Sequence, residues 1–194
     1  ATWGDVTELA SIEWIESGEE QTFAEARTAD ILAHLAPYLD EAEAISTHRA
    51  PYGNRESDYF WGCNSEACCW RGIQCMYAYK WTGDENYLIN AKRCLNYILG
   101  QNPTGYCYVT GFGAYPAQHP HHRLSGSDPR GTLPGFLVGG PNPGQQDRNE
   151  GMTYPDGISA DECYHDHQGS YATNEVTINW NVTLFALTAA LDAL

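Results

Sequence analysis

A chain of 194 residues with a net charge of −15 is long enough to bury a sizeable core and counts, by length, as one domain. An acidic surface of that size repels phosphate backbones and other polyanions, which argues against nucleic acid and fits an uncharged ligand such as a neutral polysaccharide. No apolar run approaches the roughly 18 residues of a membrane span, so no membrane partner is expected. The opening Ala1-Thr-Trp-Gly-Asp-Val6 lacks the charged start and apolar core of a signal peptide, and it reads as the start of a fragment or processed chain.

Taken in order, residues 5 to 17 predict a short helix ending at Gly18, with Val6, Leu9 and Ala10 as its apolar face. A longer helix follows from Gln21, with Ile31, Leu35, Tyr38, Leu39 and Ala42 at helical spacing; Pro37 predicts a kink or a break within it. Residues 46 to 55 are loop. A third helix runs to Lys80, capped by Asn64 or Ser65, whose side chains can accept from the first-turn amides. Thr82-Gly-Asp-Glu85 reads as a capping box for a fourth helix, with Tyr87, Leu88, Ala91, Cys94, Leu95 and Ile98 on one face and Gly100 as its left-handed stop.

From Gln101 to Ser170 there is almost no periodicity, only a candidate strand at Tyr106 to Thr110 and many Gly, Pro, His, Tyr and Asp residues. So long an irregular stretch within a domain is usually functional. A last helix is predicted from Ala172 to Leu194. The elements define an all-α protein of paired helices joined by functional loops. The seven cysteines (Cys63, Cys68, Cys69, Cys75, Cys94, Cys107, Cys163) are odd in number and lack paired C-x-x-C spacing, so they read as small buried hydrophobes.

Chemistry concentrates in Tyr164-His-Asp-His-Gln-Gly-Ser-Tyr-Ala-Thr-Asn-Glu175. Glycoside cleavage needs one carboxyl group that donates a proton and another that is ionised, and Asp166 and Glu175 supply a pair. At the start of a helix Glu175 would be favoured as the anion, whereas desolvation by Tyr171 and Trp180 and the charge of Asp166 oppose that; the sequence leaves the balance open. The bland alternative makes Asp166 a turn cap and Glu175 a helix end. A second cluster, His119, His121, His122 and Arg123, suits hydrogen bonding to sugar hydroxyls. It could instead hold a metal with His165 and His167, or satisfy loop carbonyls. Trp61 and Trp180 are the candidates for stacking on sugar rings, with Tyr59 and Phe60 assigned to the core.

Several stretches resemble glycoside hydrolase family 9, the cellulase family once called E. They are Gly105-Tyr-Cys-Tyr-Val-Thr-Gly-Phe-Gly113 through Gln118-His-Pro-His-His-Arg123, Tyr59-Phe-Trp-Gly-Cys-Asn-Ser65, Tyr97-Ile-Leu-Gly-Gln-Asn-Pro103, and Tyr164 to Asn181. The resemblance implies an (α/α)6 barrel and hydrolysis of β-1,4-glucans with inversion. It makes Glu175 the general acid, Asp166 a supporting carboxylate and His121 a residue beside the cleaved bond. Arg123, Trp180 and Trp61 become substrate-binding residues, and His122 and Tyr171, from the same two clusters, are assigned to substrate binding with them. It implies a secreted protein acting on cellulose or soluble β-1,4-glucan with no required cofactor. Structural calcium is conceivable near Asp161 or Glu162, and no residue is assigned to a metal.

Tyr115, Val182 and Cys63 depart from the family's preferences. More important, the paired-aspartate motif that supplies the base is absent, and five or six helices stand where the barrel needs twelve. The chain is therefore expected to be the C-terminal part of the catalytic domain, inactive without an N-terminal part and showing an uncovered apolar face. The competing functions are a non-catalytic glucan-binding module, a metal-binding helical protein, and an exo-acting relative working on chitin-derived oligosaccharides.

Overall fold

In the computed structural model residues 4–44 and 47–194 are described. Two helical hairpins come first. Helix α1 (Thr7–Ser17) starts where Asp5 accepts from the Thr7 amide at 2.9 Å and stops at Gly18 in the left-handed conformation. It packs against α2 (Gln21–Ala44), which continues through Pro37 as one element. The expected break does not occur. Pro37 removes one backbone bond and crowds the carbonyl of Ala33. Ile31, Leu35, Leu39 and Ala42 form one buried stripe on both sides of it, and their burial offsets that cost.

Helix α3 (Trp70–Thr82) is preceded by a π-helical turn, Asn64–Cys69, and pairs with α4 (Glu85–Ile98). The expected caps differ from those found. Asn64 donates its side-chain amide to the Val138 carbonyl at 3.0 Å, and Ser65 bonds Thr183 at 2.8 Å, so both residues tie α3 to distant segments instead of capping it. Asp84, not Thr82, caps α4 by accepting from the Asn86 amide at 2.9 Å, because Thr82 is still the last residue of α3 and donates to Ala78. Where α3 meets α4 and the terminal helix there is no room for a side chain: a Cβ on Gly72 would lie 2.8 Å from Leu187.

Residues 101 to 170 hold only short turns, among them α5 (Arg123–Ser127). The candidate strand reduces to two isolated bridges, Cys107 with Pro116 and Val109 with Leu137. The single last helix is also corrected: α6 (Tyr171–Asn174) ends at Glu175, residues 175 to 177 are extended, and α7 (Ile178–Asp192) follows. Thr177 ends the extended piece by capping α7, its hydroxyl accepting from the Trp180 amide. All seven cysteines are free and buried, as expected, and burial pushes the Cys63 thiol up to about 11.

Helix α7 carries two apolar faces. Leu184 and Leu187, on one, are buried, while on the other Ile178 is 87% exposed, Val182 57% and Phe185 72%. A helix apolar on two opposite faces is built to be packed from both sides. The expected uncovered apolar face is therefore present.

Candidate active site

The break between α6 and α7 is what builds the site. Because residue 175 is extended, its backbone pairs sideways. His121 donates its amide to the Asn174 carbonyl at 2.7 Å, forming a bridge with Glu175, and the Gly139 amide donates to the Glu175 carbonyl at 3.1 Å. Glu175 is thus held between two loops, three residues ahead of α7, and does not sit in the first turn as expected.

The Glu175 carboxylate accepts from the indole N–H of Trp61 at 3.2 Å. Trp61 is 39% exposed and lies 5.4 Å from the Tyr171 ring, which in turn has the His121 ring at 6.1 Å edge-on. Four of the expected residues, Glu175, Trp61, Tyr171 and His121, therefore form one chain of contacts. His121 Nδ1 faces the Gln168 carbonyl at 2.6 Å; a carbonyl only accepts, so Nδ1 carries the proton and Nε2 is left to face a ligand. Tyr171 donates its hydroxyl to the Gln146 carbonyl at 2.8 Å, and desolvation followed by the Glu150 charge raises its phenol above the usual range. The ring, rather than the hydroxyl, is what Tyr171 offers a sugar.

Asp166 has another task. Its two oxygens accept from the Gln118 amide at 3.0 and 2.9 Å, the His119 amide at 2.8 Å and the Asn174 side chain at 3.2 Å. Asn174 also donates to the His119 carbonyl at 2.7 Å and accepts from Tyr164 at 2.6 Å. Asp166 is a clasp that fixes the histidine loop against the residue preceding Glu175. Its carboxylate is engaged by donors of the protein.

Trp180 is not the stacking surface expected. It is 5% exposed, behind the cavity, with its ring against Gly62 and Gly139. Gly62 has φ +91° and a Cβ there would come within 2.6 Å of the Trp180 ring. Gly62→Ala is expected to destabilise the protein by about 2 kcal/mol, combining overpacking with a strained backbone, and thermal unfolding measures it. A cavity of about 450 Å³ opens on this ring, lined by Trp61, Glu66, Glu175, Thr177, Asn179 and Trp180.

His122 caps α5, its Nδ1 accepting from the Ser125 amide, and packs on Phe136 at 4.9 Å. Arg123 begins α5 and is exposed; its guanidinium has no partner among the described residues. His165 bonds the Thr153 carbonyl and His167 accepts from the Gly169 amide, so the histidine rings are engaged separately. Among the described residues no three His, Cys, Asp or Glu converge as metal ligands. Glu162, in a turn at Ala160–Glu162, accepts from the Ser159 hydroxyl.

Two contributors escaped the sequence reading. Gly139 anchors both Glu175 and, through its carbonyl, the Asn64 amide at 3.0 Å. Asp147, fully buried, accepts from Tyr154 at 2.8 Å and Ser170 at 2.5 Å and pins the loop that carries Gln146 under Tyr171. The Gly139-Gly-Pro run was visible as a turn signal, whereas nothing in the sequence singles out Asp147.

A carboxyl group beside an exposed aromatic ring, on loops at the ends of helical hairpins, is an arrangement able to grip and protonate a sugar. Comparison with known proteins narrows that reading. The model of glycosyl hydrolase family 9 matches residues 1–188, and the chain belongs to that family. A xyloglucan-specific endo-beta-1,4-glucanase, BoGH9A, of Bacteroides ovatus is 52% identical over 99% of this chain and 33% of its own length. A cellulose 1,4-beta-cellobiosidase of Acetivibrio thermocellus is 32% identical over 98% of the chain and 22% of its own.

Among solved structures, a Bacteroides ovatus GH9 protein superposes with a TM-score of 0.88 at 44% identity, covering 100% of this chain and 34% of that one. AaCel9A in complex with cellobiose-like isofagomine gives 0.84 at 32%, covering 98% and 36%. The chain thus spans about a third or less of the relatives it matches, and its helices are part of an (α/α)6 barrel, as the resemblance implied.

Proposed function

We propose that the chain carries the proton-donating part of a β-1,4-glucan hydrolase. Glu175 is the general acid, a base aspartate comes from an N-terminal part of the same domain, and the anomeric configuration inverts. The observation that carries this reading is the Glu175 carboxyl group at the cavity wall, bonded to the exposed Trp61. That places an acid beside a flat surface for a glucosyl ring. A protonated Glu175 gives its proton to the departing glycosidic oxygen, while water attacks from the opposite face under the base, with the two carboxyls about 6.5–9.5 Å apart to admit it.

Tyr171 and His121 extend the surface beyond Trp61, with His121 Nε2 available to a sugar hydroxyl, and Arg123 follows at the exposed start of α5 as a further substrate contact. The glucan-cleaving names of the relatives support β-glucan as the substrate, with internal cleavage and xyloglucan suggested by the first of them. The family resemblance is what suggests a secreted protein. The exposed Ile178, Val182 and Phe185 of α7 are where the N-terminal part would pack. The experiment is hydrolysis of a cello-oligosaccharide followed by proton NMR. The intact protein is expected to release the α-anomer first and the isolated 194-residue chain to release no sugar; a β-anomer first, or a competent isolated chain, contradicts the proposal.

A further inference from the structure

The cavity beside Glu175 has a second carboxylate on its wall, Glu66. It stands on the π-helical turn Asn64–Cys69 that opens α3. Such a turn holds one residue more than an α-turn and re-aims the side chains it carries, which is why it recurs at functional sites. Here Ala67, Cys68 and Cys69 are buried in the core, whereas Glu66 is half-buried and lines the cavity. Its amide is used, donating to the Gly62 carbonyl, but its carboxylate has neither a hydrogen bond nor an ion pair among the described residues. A part-buried carboxylate with no protein donor is free to accept from a ligand that brings hydroxyl groups.

A sugar ring offers both partners this wall needs, an apolar C–H face for Trp61 and hydroxyl donors at its edge. Resting on the reading of Glu175 above, we propose that Glu66 is a specificity-determining residue. Its carboxylate accepts from hydroxyls of the glucosyl unit lying on Trp61, next to the bond that Glu175 protonates. With Glu175 it also makes the cavity reject uronic-acid units, whose carboxylates would meet two acidic groups and no cation among the residues that line it.

The test uses the intact protein as wild type, Glu175→Gln, Glu66→Ala and Glu66→Gln. Kinetics are measured on a neutral β-1,4-gluco-oligosaccharide, and calorimetric binding is measured in the Glu175→Gln background. Glu66→Ala is expected to weaken binding and raise KM about tenfold. Glu66→Gln, which keeps one accepting oxygen, should recover part of that loss and bind a glucuronate-bearing oligosaccharide better than wild type does. Unchanged KM and binding in a folded Glu66→Ala protein overturn the proposal. Should that variant fail to fold, unchanged binding by Glu66→Gln overturns it equally. Wild type that neither binds nor cleaves the neutral oligosaccharide sinks the hydrolase reading, and this one with it; normal cleavage with indifferent Glu66 variants sinks only this one.

Discussion

Glu175→Gln in the intact protein is expected to lower β-glucan hydrolysis by about 10³-fold while leaving oligosaccharide binding nearly unchanged. General acid catalysis contributes roughly 10²–10⁴ in rate, and the amide cannot donate a proton of comparable acidity. The local structure should survive, because Glu175 is positioned by its backbone, through His121, Gly139 and Asn174, and the side chain holds only the Trp61 indole. An amide oxygen can still accept from that N–H. The change therefore separates chemistry from binding, and with them a hydrolase from a glucan-binding module. Steady-state rates and calorimetry on one preparation decide between the two.

The second large effect is on the frame. Asp166→Ala strips the acceptor from the Gln118 and His119 amides and from the Asn174 side chain at once. Bonds to a charged acceptor contribute about 1.5–3 kcal/mol each, and part of this clasp is open to water that can replace them. A loss of about 2–4 kcal/mol is expected in denaturant unfolding. Activity should fall too, because the histidine loop and the Asn174–Glu175 step are no longer fixed to each other. Asp166→Asn keeps one acceptor and should lie between. A stable Asp166→Ala protein with low activity would instead make Asp166 a direct participant in the chemistry.

The sequence marked Glu175 and Asp166 as a pair, but their different tasks are three-dimensional. Whether a carboxylate faces a cavity or a row of backbone amides depends on how the loop at 118–119 folds over residue 166, and no periodicity reports that. Helices α2 and α4 were legible because their apolar stripes recur at helical spacing, whereas α1 was legible only in its extent up to Gly18: the expected face of Val6, Leu9 and Ala10 is exposed, and Ile12 is what the helix buries. The gap before α7 was not legible, since Ala172 to Leu194 reads as continuous helix. The gap exists because Glu175 bridges His121 and Gly139, contacts 54 and 36 residues away in sequence. Trp180 was misjudged for a related reason: Gly62 and Gly139 leave a slot that its ring fills, and a glycine's neighbour is invisible in one dimension.

The most direct measurement of the central claim compares leaving groups. Protonation by Glu175 matters only when the departing oxygen is a poor leaving group. In the intact protein, Glu175→Gln should lose about 10³-fold on a cello-oligosaccharide, yet stay within about tenfold of wild type on the matching 2,4-dinitrophenyl glycoside, which leaves without help. An equal loss on both substrates would show that Glu175 does something other than donate the proton, and would contradict the account.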